Sequence, residues 1–325
     1  MVDFTLLSAA TYSIQSLPED PRLGQLIKQY SLKALEAADV VIFGIPTDEG
    51  IARNGGRIGA SGGPSAIRAA LAKLTTYGGP NFKHHLESIS IVDLGDVRHG
   101  TLEAMHDEAR SNIRELSTMG KIIVALGGGH DITYPLVKGL SEASGSKGLG
   151  LINVDAHLDV RPKIEGKHHS GSSFRLLIDE GIVQGSRFCE IGIQPFVNAE
   201  AYYEWAIQHG VRVLTFEDAT TSHLPTAFEE SAFGITFGDD STPLYLSFDM
   251  DAIRAADAPG VSAPAAVGFL AEEAFELSVA AGLNRSVKVF DIVEVSPKYD
   301  ADGRTSRLAA RMIAGFLAGV ANRNV

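Results

Sequence analysis

The chain has 325 residues, 45% hydrophobic and 21% charged, with a formal net charge of −12. That acidity argues against nucleic acid or an anionic membrane as a partner. The composition is that of a globular protein able to bury a large core, and its single cysteine excludes an intrachain disulfide.

The chain opens Met1-Val2-Asp3-Phe4, without the basic segment and apolar run of a signal peptide, and no stretch approaches the ~20 apolar residues of a membrane span. A cytoplasmic protein is expected. No low-complexity linker divides the chain, so one domain over 1–325 is expected, with residues 1–39 as an N-terminal extension or helix. Short β-branched runs then alternate with helix-length amphipathic segments, the signature of a parallel α/β sheet. Eight strands are predicted: Val40–Ile45, Ser88–Leu94, Lys121–Leu126, Gly150–Asp155, Arg187–Ile193, Val211–Phe216, Leu244–Asp249 and Val287–Val295. Between them, Pro64 suits a first helical turn, Leu102–Thr118 is acidic early and ends before Gly120, and Arg304–Val320 carries Leu308, Met312, Ile313, Phe316 and Leu317 at helical spacing. Cys189 lies in the apolar run Phe188-Cys189-Glu190-Ile191 and reads as a core residue rather than a reactive thiol. Pattern alone leaves open whether the sheet closes into a barrel. In either case chemistry is expected at the carboxyl ends of the strands.

Four strand ends carry unusual residues. Leu126-Gly127-Gly128-Gly129-His130-Asp131 lets the backbone turn sharply and lets another group approach; His130 is either delivered as a ligand or simply hydrogen-bonded in a tight turn. No Gly-Lys-Ser/Thr follows, which disfavours a nucleotide loop. Asn153-Val154-Asp155-Ala156-His157-Leu158-Asp159 places three metal-competent side chains at alternate positions. Fully extended, Asp155 and Asp159 would stand ~13 Å apart, too far to converge on one ion. The strand should therefore end near Asp155 and the chain curl back through His157 to Asp159. Ser247-Phe248-Asp249-Met250-Asp251 ends a third strand in two carboxylates, whose burial costs several kcal/mol each unless a cation neutralises them. Glu294, before Pro297, could face the site, cap a helix or pair with a cation. Carboxylate and imidazole without thiolate suit Mn²⁺ or a similar divalent ion, and six ligands are better shared between two ions than crowded on one.

These three motifs, Gly-Gly-Gly-His130-Asp, Asp155-Ala-His157-Leu-Asp159 and Ser-Phe-Asp249-Met-Asp251, occur in the order found in the ureohydrolase family of arginase, agmatinase and formimidoylglutamase, which the chain resembles from about Phe43 to its C-terminal helix. The resemblance implies a three-layer α/β/α sandwich with an open, mainly parallel eight-stranded sheet and two Mn²⁺ per subunit. It assigns His130, Asp155, Asp159 and Asp249 to one ion and Asp155, His157, Asp249 and Asp251 to the other, with a bridging hydroxide as nucleophile. It also makes Glu294 a substrate-facing residue. Asp159 is the geometrical candidate to relay a proton to the leaving amine. Family members commonly oligomerise, so a homo-oligomer is compatible with it.

Within the family, residues 48–57, 258–265 and 299–305 look most like formimidoylglutamase. The expected reaction is hydrolysis of N-formimino-L-glutamate to L-glutamate and formamide, a step of histidine breakdown. A urea-releasing hydrolase of agmatinase or guanidino-acid type, or a non-catalytic binding protein on the same fold, are the alternatives. Arginase and agmatinase carry a histidine before a glycine in the loop after the second motif; here Ser170 stands there. His168 or His169 could replace that proton shuttle, or be surface histidines of a mobile loop. A substrate with two carboxylates calls for cations at the pocket rim. Arg57, Arg175 and Arg53 are the candidates, with Asn54 and Ser170 as neutral partners.

Overall fold

A computed structural model describes Phe4, Ile14, and residues 17–145 and 148–323. The expectation for Met1-Val2-Asp3 lies outside these residues. Among the described residues, nine parallel strands form one open sheet: β1 (Lys28–Gln29), β2 (Val40–Gly44), β3 (Ile91–Asp96), β4 (Ile122–Leu126), β5 (Gly150–Val154), β6 (Phe188–Ile193), β7 (Arg212–Thr215), β8 (Leu244–Asp249) and β9 (Val287–Val293). Their spatial order is β1-β3-β2-β4-β9-β8-β5-β6-β7. The extra strand over the eight expected is β1, two exposed residues paired to Val92 and Asp93 at the sheet edge. It lacks any apolar run, so nothing in its sequence marks it as a strand.

The sheet is apolar on both faces because helices cover both, as parallel sheets require. Alternate residues of one strand enter opposite cores. Val40 and Ile42 join Ile67, Phe228, Leu277 and Phe316 on one side. Val41 and Phe43 join Ala109, Ile113, Leu136 and Phe174 on the other. Leu102–Thr118 forms as expected, capped by Thr101, whose Oγ1 accepts from the Ala104 N–H. The final helix runs Arg304–Ala321. Cys189 is fully buried, and burial pushes its thiol up to about 11, in keeping with a core residue. No helix is long and apolar enough to cross a membrane among the described residues.

Two strand ends fall short of expectation by more than one residue, for local reasons. Residues 86–88 form a single 3₁₀ turn, so β3 starts only at Ile91. The last strand stops at Val293 because Glu294 adopts a left-handed backbone, φ 66°. The β5 expectation is met: the strand ends at Val154, and Asp159 turns the chain with φ 45°.

The glycine run after β4 serves close approach. A Cβ on Gly128 would fall 1.7 Å from the Thr47 carbonyl oxygen. The Gly129 N–H donates to that same oxygen at 2.9 Å, and the Glu294 N–H donates to the Gly128 carbonyl at 2.8 Å. Gly128 thus stitches the β2, β4 and β9 ends together. Gly128→Ala is expected to destabilise the protein by about 3 kcal/mol, since backbone must shift to admit the methyl. Urea unfolding of the purified variant measures this.

Candidate active site

The strands that end in candidate ligands are neighbours: β4, β9, β8 and β5 occupy the centre of the sheet. Their carboxyl ends deliver His130, Glu294, Asp249 with Asp251, and Asp155 with His157 and Asp159. Strand order reverses here, since the chain leaves β4 for β5 across a gap later filled by β8 and β9. Open α/β sheets bind ligands outside such a switch point.

Two of the turns repeat one device. Asp155 Oδ1 accepts from the His157 N–H at 2.7 Å, and Asp249 Oδ1 accepts from the Asp251 N–H at 2.8 Å. Each aspartate closes a turn onto the residue two places on, which fixes its carboxylate and aims the second oxygen inward. Those second oxygens meet at His130. Its Nδ1 lies 3.2 Å from Asp155 Oδ2, 3.2 Å from Asp159 Oδ2 and 3.1 Å from Asp249 Oδ2, yet makes a hydrogen bond to none of them. The other ring nitrogen explains this. Ser247 Oγ donates to Asp291 Oδ1 at 2.6 Å, so it accepts from His130 Nε2–H at 2.9 Å. Nδ1 is left to face three carboxylate oxygens. Burial opposes a charge on His130, but those carboxylates outweigh it and hold the ring well above its ordinary range when no metal is bound. A divalent cation would take the place of that proton, drawing on the Nδ1 lone pair and the carboxylate oxygens together.

Among the described residues, two mutually close groups are competent to hold metal: His130, Asp155 and Asp249, and Asp155, His157 and Asp251. Asp155 belongs to both, and Asp159 reaches the first through its contact with His130. Asp249, expected to bridge as well, groups with the first set. His157 Nδ1 stands 3.5 Å from Asp155 Oδ1 and 3.3 Å from Asp251 Oδ2.

The charges strain against one another. Burial, then the neighbouring Asp251 and Asp155, push Asp249 well above the usual carboxylate range. Burial pushes Asp251 up to about 7, and the charge of Asp251 draws His157 up to about 12. Burial raises Glu294 strongly too, with Asp249 adding to it. Only Asp155 is held low: burial opposes its charge, but His130 and His157 outweigh that.

A cavity of about 210 Å³ opens onto this cluster. Glu294 lines it, held by the His130 N–H at 3.0 Å on Oε1, with Oε2 buried and without a partner. Asn54 and Ser170 line it as expected, joined by a 3.1 Å hydrogen bond from Asn54 Nδ2 to Ser170 Oγ. The arginines expected at the rim are elsewhere. Arg175 stacks on Trp205 at 4.5 Å and pairs with Asp179, so packing of its own helix holds it away from the cavity. Arg57 is spent on the Ser262 and Val261 carbonyls and on the face of Tyr299. Arg53 pairs with Glu49 and Glu103. The one arginine lining the cavity, among the described residues, is Arg161, whose guanidinium donates to Asn54 Oδ1 at 3.5 Å. It lies two residues beyond the second motif and is not among the arginines expected at the rim. His168 and His169 are not surface histidines either. His169 is fully buried; its Nε2–H donates to the Pro162 carbonyl and its Nδ1 accepts from the Gly171 N–H, and His168 meets Ser173 Oγ. Neither lines the cavity.

An open parallel sheet with helices on both faces and this cluster at its central carboxyl ends defines an α/β/α hydrolase. The chain belongs to the arginase family, whose model matches residues 38–319. It is 34% identical to formimidoylglutamase of Ralstonia nicotianae over 317 residues, 93% of each chain. It is 33% identical to the human mitochondrial guanidino acid hydrolase over 287 residues, 87% of this chain and 78% of that one. The crystal structure of Trypanosoma cruzi formiminoglutamase with Mn²⁺ superposes with a TM-score of 0.86 at 35% identity, covering 94% of this chain and 99% of that one.

Proposed function

We propose that the chain is a manganese-dependent formimidoylglutamase, hydrolysing N-formimino-L-glutamate to L-glutamate and formamide. The observation that carries the reading is a single cavity with opposite demands at its two ends: Glu294 and the carboxylate cluster at the floor, Arg161 at the rim. A substrate that is cationic at its reacting end and anionic at its tail fits that polarity. Agmatine, which has no carboxylate, does not use the Arg161 end.

His130, Asp155, Asp159, Asp249, His157 and Asp251 hold two Mn²⁺ ions in this reading. When bound, the ions supply a water-derived nucleophile at neutral pH and polarise the amidine carbon. The remaining work falls to the chain's own residues. Glu294 Oε2 takes the formimino nitrogens as a charge-assisted hydrogen-bond acceptor and orients the carbon toward the floor. Asp159, half-buried between the cluster and the cavity, moves the proton to the departing amine. Arg161 binds a tail carboxylate, with Ser170 and Asn54 beside it. Arg57 shapes the same rim by holding the Val261–Ser262 backbone. The same proposal treats 1–325 as one cytoplasmic catalytic domain.

Manganese-reconstituted protein tested for formamide, ammonia and urea across formiminoglutamate, guanidino acids, agmatine and arginine decides the substrate. Formamide from formiminoglutamate is expected. Urea from a guanidino acid, a substrate with the same polarity, replaces this reading with the reaction of the human relative. Arg161→Ala is expected to raise KM for formiminoglutamate roughly 10–100-fold with little change in kcat, the pattern of a lost ground-state contact. An unchanged KM removes Arg161 from the site.

A further inference from the structure

Two polar side chains are fully buried within strands that are otherwise nearly all apolar: Asn153 on β5 and Glu190 on β6. The sheet register sets them directly opposite each other. Asn153 Nδ2 donates to Glu190 Oε2 at 2.8 Å and to Asp155 Oδ2 at 3.3 Å. One amide group therefore links a buried glutamate to the aspartate shared by both metal-competent groups. The amide can sit only one way round, because exchanging its nitrogen and oxygen would aim the oxygen at two carboxyl groups.

The arrangement is costly. Asn153 Oδ1 and Glu190 Oε1 are buried with no hydrogen-bond partner. Unsatisfied buried polar atoms cost about 1–3 kcal/mol each, and leucine would fill either position more cheaply. Asp155 is where that cost has an effect. Its Oδ1 is fixed by the His157 N–H. Its Oδ2 has the longer, weaker bond to Asn153, and that bond depends on Glu190 to hold the Asn153 rotamer. With both oxygens fixed, the carboxylate faces His130 on one side and His157 on the other. Burial, then the Asp155 charge, push Glu190 well above its ordinary range.

We infer that Glu190 and Asn153 are a positioning pair that orients Asp155 for both cations at once. Neither touches the reacting atoms, and the inference rests on the two-ion reading above. The test is calorimetric titration of metal-free protein with Mn²⁺, alongside kinetics at saturating Mn²⁺ and thermal unfolding of the metal-free form. Glu190→Leu and Asn153→Ala are each expected to weaken Mn²⁺ binding about 10-fold or more. They also lower kcat while KM for substrate stays put. Glu190→Gln keeps the acceptor and should recover most of the affinity. The double variant should be no worse than Asn153→Ala alone, since Glu190 acts through Asn153. Should Glu190→Leu fail to fold, Asn153→Ala and Glu190→Gln carry the comparison. Full Mn²⁺ affinity in variants with lowered metal-free stability overturns the inference and leaves only a packing role. Additive losses overturn the coupling. An unmodified protein that takes up no Mn²⁺ overturns the two-ion reading itself, and the pair with it.

Discussion

Glu294→Gln lowers kcat/KM for formiminoglutamate by roughly 10²–10³-fold, equivalent to about 3–4 kcal/mol, while the protein still binds two Mn²⁺ ions. The reasoning starts from what the substitution keeps. Glutamine is isosteric, and its carbonyl oxygen can still accept from the His130 N–H that fixes Oε1. The left-handed backbone at position 294 and its bond to the Gly128 carbonyl do not depend on the side-chain charge. What disappears is a negative oxygen at the cavity floor, the one atom of Glu294 that lacks a protein partner. A formimino cation brought into that space then loses its counter-charge and meets an amide N–H donor. Activity near the unmodified level removes Glu294 from substrate binding; loss of metal together with activity makes it part of the metal-holding structure. Glu294→Gln also relieves a carboxyl that burial and Asp249 already disfavour, so the metal-free variant should be no less stable than the parent.

The parts of this site that could be read in advance are those where chemistry is dense over a few residues. Asp155, His157 and Asp159 stand at a strand end too close together to be a solvated turn, and the distance they would span if extended already required the chain to curl. The left-handed Asp159 is that curl. The rim was not legible in the same way. Arg57 and Arg175 were reasonable by loop position, but nothing local foretells that Trp205, from the next helix, captures Arg175 or that the 261–262 backbone captures Arg57. Arg161, two residues beyond Asp159, carries no local mark that separates it from the arginines of the neighbouring loops. Ser247, Asp291, Asn153 and Glu190 carry a signal in the sequence: polar residues inside strands whose other positions are mostly apolar. Such residues are buried only when hydrogen-bonded, so each one asks for a partner. Strand β1 had no signal, because two backbone pairs at an edge ask nothing of the side chains.

Chelating the metals is expected to lower the unfolding temperature by on the order of 10 °C near neutral pH, since two sites at ~100-fold excess over Kd contribute about 5 kcal/mol together. The sharper expectation concerns its pH dependence. Asp251 has its folded pKa raised to about 7. The folded metal-free protein therefore binds more protons than the unfolded chain above about pH 4, the ordinary aspartate value. Its stability falls as pH rises from there toward 7. Asp249, raised in the same direction, adds to the fall. His157, drawn up to about 12, contributes stability that is full below its ordinary value and is lost as pH rises toward 12, so it deepens the same trend at higher pH. Metal binding runs the other way, because it requires these carboxylates deprotonated. The gap in unfolding temperature between loaded and chelated protein should widen from pH 5 to pH 8, and differential scanning calorimetry of both forms measures it. A single substitution separates the two forces. In Asp249→Asn the amide oxygen still accepts from the Asp251 N–H, and the new N–H₂ can donate to His130 Nδ1, 3.1 Å from the oxygen it replaces, once the ring has given up its proton. That variant should lose Mn²⁺ at one site and nearly all activity, yet unfold a few degrees higher than the parent when both are metal-free. Lower stability in the metal-free variant would mean that Asp249 is favourably paired without metal, and that charge crowding is not what a cation relieves.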